Sequence, residues 1–236
     1  MSALLQAKEL HAFYGATHVV HGVSFALARG ETIALMGRNG MGKTTLLRAL
    51  MGLVPQRRGR VMLGEQDISA AVPETVARGG VAFVPEGRGI FSSLTVTENL
   101  VMASRPASDG SARWTLPRIL ELFPRLAERR HHWGNQLSGG EQQMLTIGRA
   151  LMTNPDVILI DEAAEGLAPM IAQTIWQTVR EIRREGVATL VVDKDYRALS
   201  ALADRVLLMT KGELVFSGTP AELKAQPELL ERHLGV

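Results

Sequence analysis

Residues 32–51 read TIALMGRNGMGKTTLLRALM, and the rest of the chain is organised around that stretch. Residues 33–36 are an apolar run with the length of a buried strand. From Lys43 the pattern becomes that of a helix, with Leu46, Leu47 and Leu50 on one face. Between them lie Gly37, Arg38, Asn39, Gly40, Met41 and Gly42, followed by Lys43, Thr44 and Thr45. Gly-x4-Gly-Lys-Thr between a strand and a helix is the setting of a phosphate-binding loop. Its glycines let backbone N–H groups turn inward around phosphate oxygens, and the helix points its positive end at the same anion. Lys43 supplies a full charge for the β- and γ-phosphates, and the Thr44 hydroxyl can hold Mg²⁺. A glycine-rich turn that happens to precede a lysine would lack the flanking strand and helix. The stretch is a nucleotide site.

Composition sets the frame. The 236 residues are 46% hydrophobic and 21% charged, as in an ordinary soluble globular protein, and are enough for a sizeable core. A formal net charge of +2 gives no reason to expect a nucleic-acid partner. The absence of cysteine excludes disulfides and thiolate metal sites, and fits a reducing compartment. The longest apolar runs, at 157–160 and 187–192, are too short to span a bilayer, and no secretory signal is visible at the start.

Along the chain, strands are expected at 4–10, 23–27, 33–36, 59–64 and 81–84, with a short helix at 73–78. Residues 88–152 then read as helical without a convincing strand, with helices opening at Thr95 (a capping box with Glu98), at 115 and at 139. The polar stretch 105–113 is expected to be a mobile loop. Strands resume at 157–160, 187–192 and 206–209, around helices at 169–184 and 196–203. A hairpin follows through 211–213, and the tail at 220–234 reads as helical. The pattern predicts an α/β fold with a helical subdomain, 88–152, grafted into a nucleotide-binding core formed by 1–87 and 153–236.

Residues 157–162, VILIDE, are a buried strand ending in two carboxylates, which at a strand's C-terminal edge face the crevice of the phosphate loop. Asp161 suits a Mg²⁺ shell, and Glu162 can orient and deprotonate an attacking water. Residues 137–143, LSGGEQQ, stand directly before a helix and make a second anion-binding surface.

Together these motifs resemble the ATP-binding-cassette (ABC) ATPases, whose signature is LSGG, and the resemblance covers essentially the whole chain. It implies a P-loop NTPase (ABC ATPase) core sheet with helices, an antiparallel N-terminal β-subdomain and an inserted α-helical subdomain. In that family two cassettes pair head to tail, so Ser138, Gly139, Gly140 and Glu141 would serve ATP held by the partner cassette. Tyr14 matches the aromatic that stacks on adenine, although a lone aromatic in a turn can equally be packing. Glu86 stands where most cassettes carry a glutamine that senses Mg²⁺ and water. VPEGRGIF, SLTVTENL, ELFPRLAERR and GLAP are similar to one subgroup, the LivF-type ATP-binding subunits of branched-chain amino-acid importers. The resemblance implies ATP and Mg²⁺, a second ABC ATPase subunit as heterodimer partner, two transmembrane permease subunits and an extracytoplasmic solute-binding protein. It also implies a peripheral place on the cytoplasmic face of the membrane, with permeases docking near 86–102.

Three departures from that pattern stand out. Ala163, Ala164 and Glu165 replace the usual Pro-Ser-Leu. Lys194 stands where most cassettes have a histidine that contacts the γ-phosphate; a permanent cation cannot replace histidine as an acceptor, but it can neutralise phosphate charge. A solvated lysine turned away by Asp193 and Asp195 is an equal reading. Arg38 and Met41 fill variable slots and are expected to tune little. The first two departures point to slow hydrolysis at this cassette's own site, within an asymmetric pair. An importer for an amide, urea or another solute, and a degenerate cassette that dimerises on ATP with little hydrolysis, remain open. A P-loop GTPase is excluded by the absence of Asn-Lys-x-Asp.

Overall fold

Backbone pairing carries the first two strands past their expected ends. In the computed structural model, which describes residues 3–107 and 109–235, β1 (Ala3–Tyr14) and β2 (Thr17–Ala28) form an antiparallel hairpin. The segment expected to connect two short strands stays in the ladder through Ala12↔Val20 and Phe13↔His18, by way of register shifts that blur the alternation. β3 (Thr32–Met36) leads into α1 (Lys43–Leu50), and β4 (Gln56–Leu63) and β5 (Gln66–Asp67) return to the hairpin, in the order β2-β1-β4-β5. β1 bulges where Glu9 takes φ +47°, and a Cβ on Gly59 of β4 would lie 2.0 Å from the Glu9 carbonyl oxygen. Only glycine admits that approach.

α2 (Pro73–Arg78) and β6 (Val81–Val84) follow, then a block that is helical among its described residues. It holds α3 (Val96–Val101), α4 (Leu116–Leu122), α5 (Pro124–Glu128) and α6 (Gly139–Met152). Residue 108 of the loop expected to be mobile lies outside the described residues. β7 (Val157–Asp161), α7 (Pro169–Arg184), β8 (Ala188–Val192), α8 (Tyr196–Leu202), β9 (Arg205–Thr210) and β10 (Glu213–Gly218) complete a second sheet. The tail is two helices, α9 (Pro220–Lys224) and α10 (Pro227–His233), because Pro227 cannot continue the first.

The second sheet has the order β10-β9-β3-β8-β7-β6, parallel throughout except for the edge pair β9–β10. Both faces are covered, so its central strands have no polar side. Ile33 and Leu35 of β3, with Val157 and Leu159 of β7, join Leu46, Leu47 and Leu50 of α1 and the N-terminal sheet. Ala34, Met36, Ile158 and Ile160 face a second cluster with Met144, Leu145 and Ile147 of α6 and Ile175 and Val179 of α7. Register places Leu35 beside Val192 and Asp161 on the other flank of Val192, so the ends of β3 and β7 flank the end of β8.

Asn99, fully buried in α3, fixes the segment before that helix: its Oδ1 accepts from Phe91 N–H at 2.9 Å, and its Nδ2 donates to the carbonyls of Phe91, Leu94 and Thr95 at 2.9–3.1 Å. Asn99→Ala leaves the Phe91 N–H without its acceptor, whereas the three carbonyls keep backbone donors in Leu94, Gly134 and residue 99. Chemical denaturation should show a loss of about 1–3 kcal/mol, the range for orphaning a buried polar group.

Candidate functional site

The phosphate loop is built by close backbone contact. Gly37 has φ +147°, and a Cβ there would lie 2.3 Å from the Met209 carbonyl oxygen of β9. Met41, at a slot expected to matter little, ties the loop to the β9–β10 hairpin: its carbonyl accepts from Gly212 N–H at 3.0 Å and its sulfur from Lys211 N–H at 3.2 Å. Arg38 reaches the Glu231 carbonyl of α10 at 3.5 Å. Both slots thus anchor the loop from behind. The Lys43 ammonium donates to the carbonyls of Gly37 at 2.8 Å and Arg38 at 3.0 Å, across the mouth of the loop. Burial lowers its pKa, against the pull of Glu162 and Asp161.

Thr44 Oγ1 donates to Asp161 Oδ1 at 3.2 Å, joining the start of α1 to the end of β7. Asp161 is wholly buried, and its Oδ2 has no hydrogen-bond partner. Burial raises its pKa, with the Thr44 hydrogen bond opposing. A buried carboxylate oxygen without a donor, next to a threonine hydroxyl, is an oxygen set suited to a hard cation such as Mg²⁺.

Glu162 takes φ +47°, a conformation uncommon for a side chain of its kind, and its N–H donates to the Val192 carbonyl at 2.9 Å. Burial, then the hydrogen bond and negative charge of Glu165, push its carboxyl up to about 7. Glu165 is held low by hydrogen bonds from Glu162 and Lys194. Lys194 is ion-paired with Glu165, which raises its pKa. Neither neighbouring aspartate holds it: Asp193 accepts from the N–H groups of Asp195 and Ala164, and Asp195 caps α8 through Ala198 N–H.

A cleft of about 330 Å³ collects Asn39, Gly40, Gly42, Lys43, Thr44 and Thr45 with Glu86 and Glu162. Carboxylate oxygens of Glu86, Glu162 and Glu165 lie within 4.8 Å of one another. Lys194 lines an adjoining cleft of about 470 Å³ with Gly37, Arg38 and Asn39. Tyr14, at the exposed end of β1, lines neither cleft. Nor do Ser138, Gly139, Gly140 and Glu141. Ser138 caps α6, and the Glu141 carboxylate accepts from Ser138 N–H at 2.8 Å. A larger groove, about 570 Å³ between α4 and α7, contains none of the expected site residues. Glu165 is the participant that motif reading did not place in the site, although its carboxylate was visible as a departure in the loop after Glu162.

Residues 20–165 match the family model for ABC transporters. The chain belongs to that family. This cassette is 38% identical over 232 residues to the high-affinity branched-chain amino acid transport ATP-binding protein BraG of Pseudomonas aeruginosa, covering 98% of the chain and 100% of that protein. It is 33% identical to the lipopolysaccharide export system ATP-binding protein LptB of Escherichia coli, over 99% of the chain and 98% of the relative. A solved nucleotide-free ATP-binding cassette from an ABC transporter superposes with a TM-score of 0.82 at 25% identity, covering 97% of this chain and 98% of the other. The ADP conformation of another such cassette gives a TM-score of 0.82 at 25% identity, with 98% of each chain covered. The cassette is therefore a nucleotide-binding ATPase subunit of a transporter, working with transmembrane permease components. Among the described residues no helix is long and apolar enough to cross a membrane.

A carboxyl raised to about 7 is protonated below that pH and becomes a base above it. The pH profile of kcat/KM for ATP, which reports the free enzyme, should therefore rise through an acid limb with its midpoint near 7. Glu162→Gln should remove that limb and lower hydrolysis by about 100-fold or more.

Proposed function

We propose that this cassette is the ATP-hydrolysing subunit of an importer for branched-chain amino acids. The observation that carries the reading is 38% identity to BraG across the whole of that protein. The Glu86 position and the run VPEGRGIF support it. A second reading, a cassette that powers export, is favoured by 33% identity to LptB over nearly the same span.

In the proposed mechanism the glycine-rich loop turns its N–H groups onto the phosphates, and Lys43 exchanges the carbonyls of Gly37 and Arg38 for β- and γ-phosphate oxygens. Thr44 and Asp161 would hold Mg²⁺, with Glu86 lining the same cleft as Thr44. A metal ion held there would supply positive charge against that developing on the phosphates. Glu162, at the mouth of the same cleft, orients the attacking water and accepts its proton. Lys194 sits beside the terminal phosphate and offsets its charge. Tyr14 stacks on the adenine. Ser138, Gly139, Gly140 and Glu141 complete the site of a second cassette, which α6 faces with its capped N-terminus. Residues 88–152 form the helical subdomain that carries this signature, set into the core of 1–87 and 153–236. Two permeases and an extracytoplasmic binding protein supply the path and the solute, placing the cassette at the cytoplasmic face of the membrane.

Reconstituted in proteoliposomes with these partners, the wild-type cassette should drive ATP-dependent uptake of radiolabelled leucine, and Lys43→Ala should reduce uptake to background. ATP-driven lipopolysaccharide extraction without leucine uptake would establish the exporter reading instead.

A further inference from the structure

The two departures from the family pattern, Glu165 after β7 and Lys194 after β8, are 29 residues apart in sequence and form one ion pair. Their side chains are 40% and 45% exposed, so the pair contributes little to folding and exchanges partners cheaply. The backbone beneath it is fixed. Asp193 Oδ2 accepts from Ala164 N–H at 3.3 Å, and Glu165 N–H donates to the Glu162 carbonyl at 3.3 Å. What can rearrange is the side-chain ends, where Glu165 accepts from Glu162 as well as from Lys194. Those ends lie where the two clefts meet: Asn39 lines both, Lys194 the one and Glu162 the other. The charges of Lys194 and Glu165 both act on Lys43, with opposite sign.

We propose that Glu165 and the terminal phosphate of ATP compete for the Lys194 ammonium, so that Glu165 sets how far the site prefers ATP to ADP. The proposal rests on the placing of Lys194 beside the terminal phosphate. A terminal phosphate carries more charge and more acceptor oxygens than a carboxylate, and it takes the ammonium when ATP binds. The last phosphate of ADP lies one bridging oxygen further back and leaves the pair intact. Glu165 is thus a positioning residue, acting on nucleotide through Lys194. It also keeps a second permanent cation from standing unneutralised beside Lys43.

A thermodynamic cycle on the full-length chain tests this, using fluorescently labelled ATP and ADP with Mg²⁺. Lys194→Gln should weaken ATP binding about tenfold and leave ADP unchanged. Glu165→Gln should tighten ATP binding about threefold to fivefold, again without moving ADP, as expected for release from an exposed ion pair. In the Lys194→Gln background the Glu165→Gln effect should largely vanish, and Lys194→Arg should restore ATP preference. If Lys194→Gln leaves ATP affinity unchanged, the placing of Lys194 fails and the competition with it. If Lys194→Gln weakens ATP but Glu165→Gln has no effect, or has the same effect with and without Lys194, the competition alone is overturned. Equal changes for ATP and ADP would mark Glu165 as merely structural and also overturn it.

Discussion

A carboxylate with no access to water at the end of β7 governs the architecture around it. Asp161 is ringed by apolar strands and meets one donor, the Thr44 hydroxyl, with its second oxygen unmatched. Such a group is tolerated only where a cation or further donors complete it. The parallel register across β8 sets the ends of β3 and β7 on either side of Val192, and the loop after β3 swings Thr44 across that gap. Glycine at position 37 lets the loop pass against β9, and Met41 fastens it to the β9–β10 hairpin. Each contact serves the same short distance.

Charge around this point is layered by burial. Lys43 and Asp161 lie deep and are shifted mainly by desolvation, each toward its neutral form. Glu162 lies part-way out, and its shift depends on a neighbouring carboxylate as well as on burial. Glu165 and Lys194 lie at the surface and neutralise one another. The deep groups therefore carry their charge against the cost of burial, which a bound ligand would offset, whereas the outer pair is already neutralised and can trade partners. A phosphate chain with its metal ion would meet both kinds in turn, from the loop outward.

Much of this was legible in the sequence, and the reasons differ by element. The spacing from Gly37 to Thr44 gave the loop because few backbones other than a strand–loop–helix accommodate it. The starts of α6 and α7 carry local signals, Ser138 as a cap and Pro169 in a first turn. Bulges in the N-terminal hairpin break the two-residue alternation and hide its length, and the helical pattern of the tail does not show that Pro227 divides it. In the sequence Lys194 and Glu165 are separate departures from the family pattern. Their pairing depends on β7 and β8 lying side by side, which residue spacing does not encode.

The doubly covered sheet also limits how chains of this kind can change length. Successive residues of β7 feed opposite interiors, Val157 and Leu159 one, Ile158 and Ile160 the other. Deleting a single residue there would exchange the two sets and withdraw Asp161 from Thr44 in the same stroke. A change of length would be tolerated better at a surface connection, such as the turn at Gly64, where neither interior nor the Thr44–Asp161 contact is disturbed.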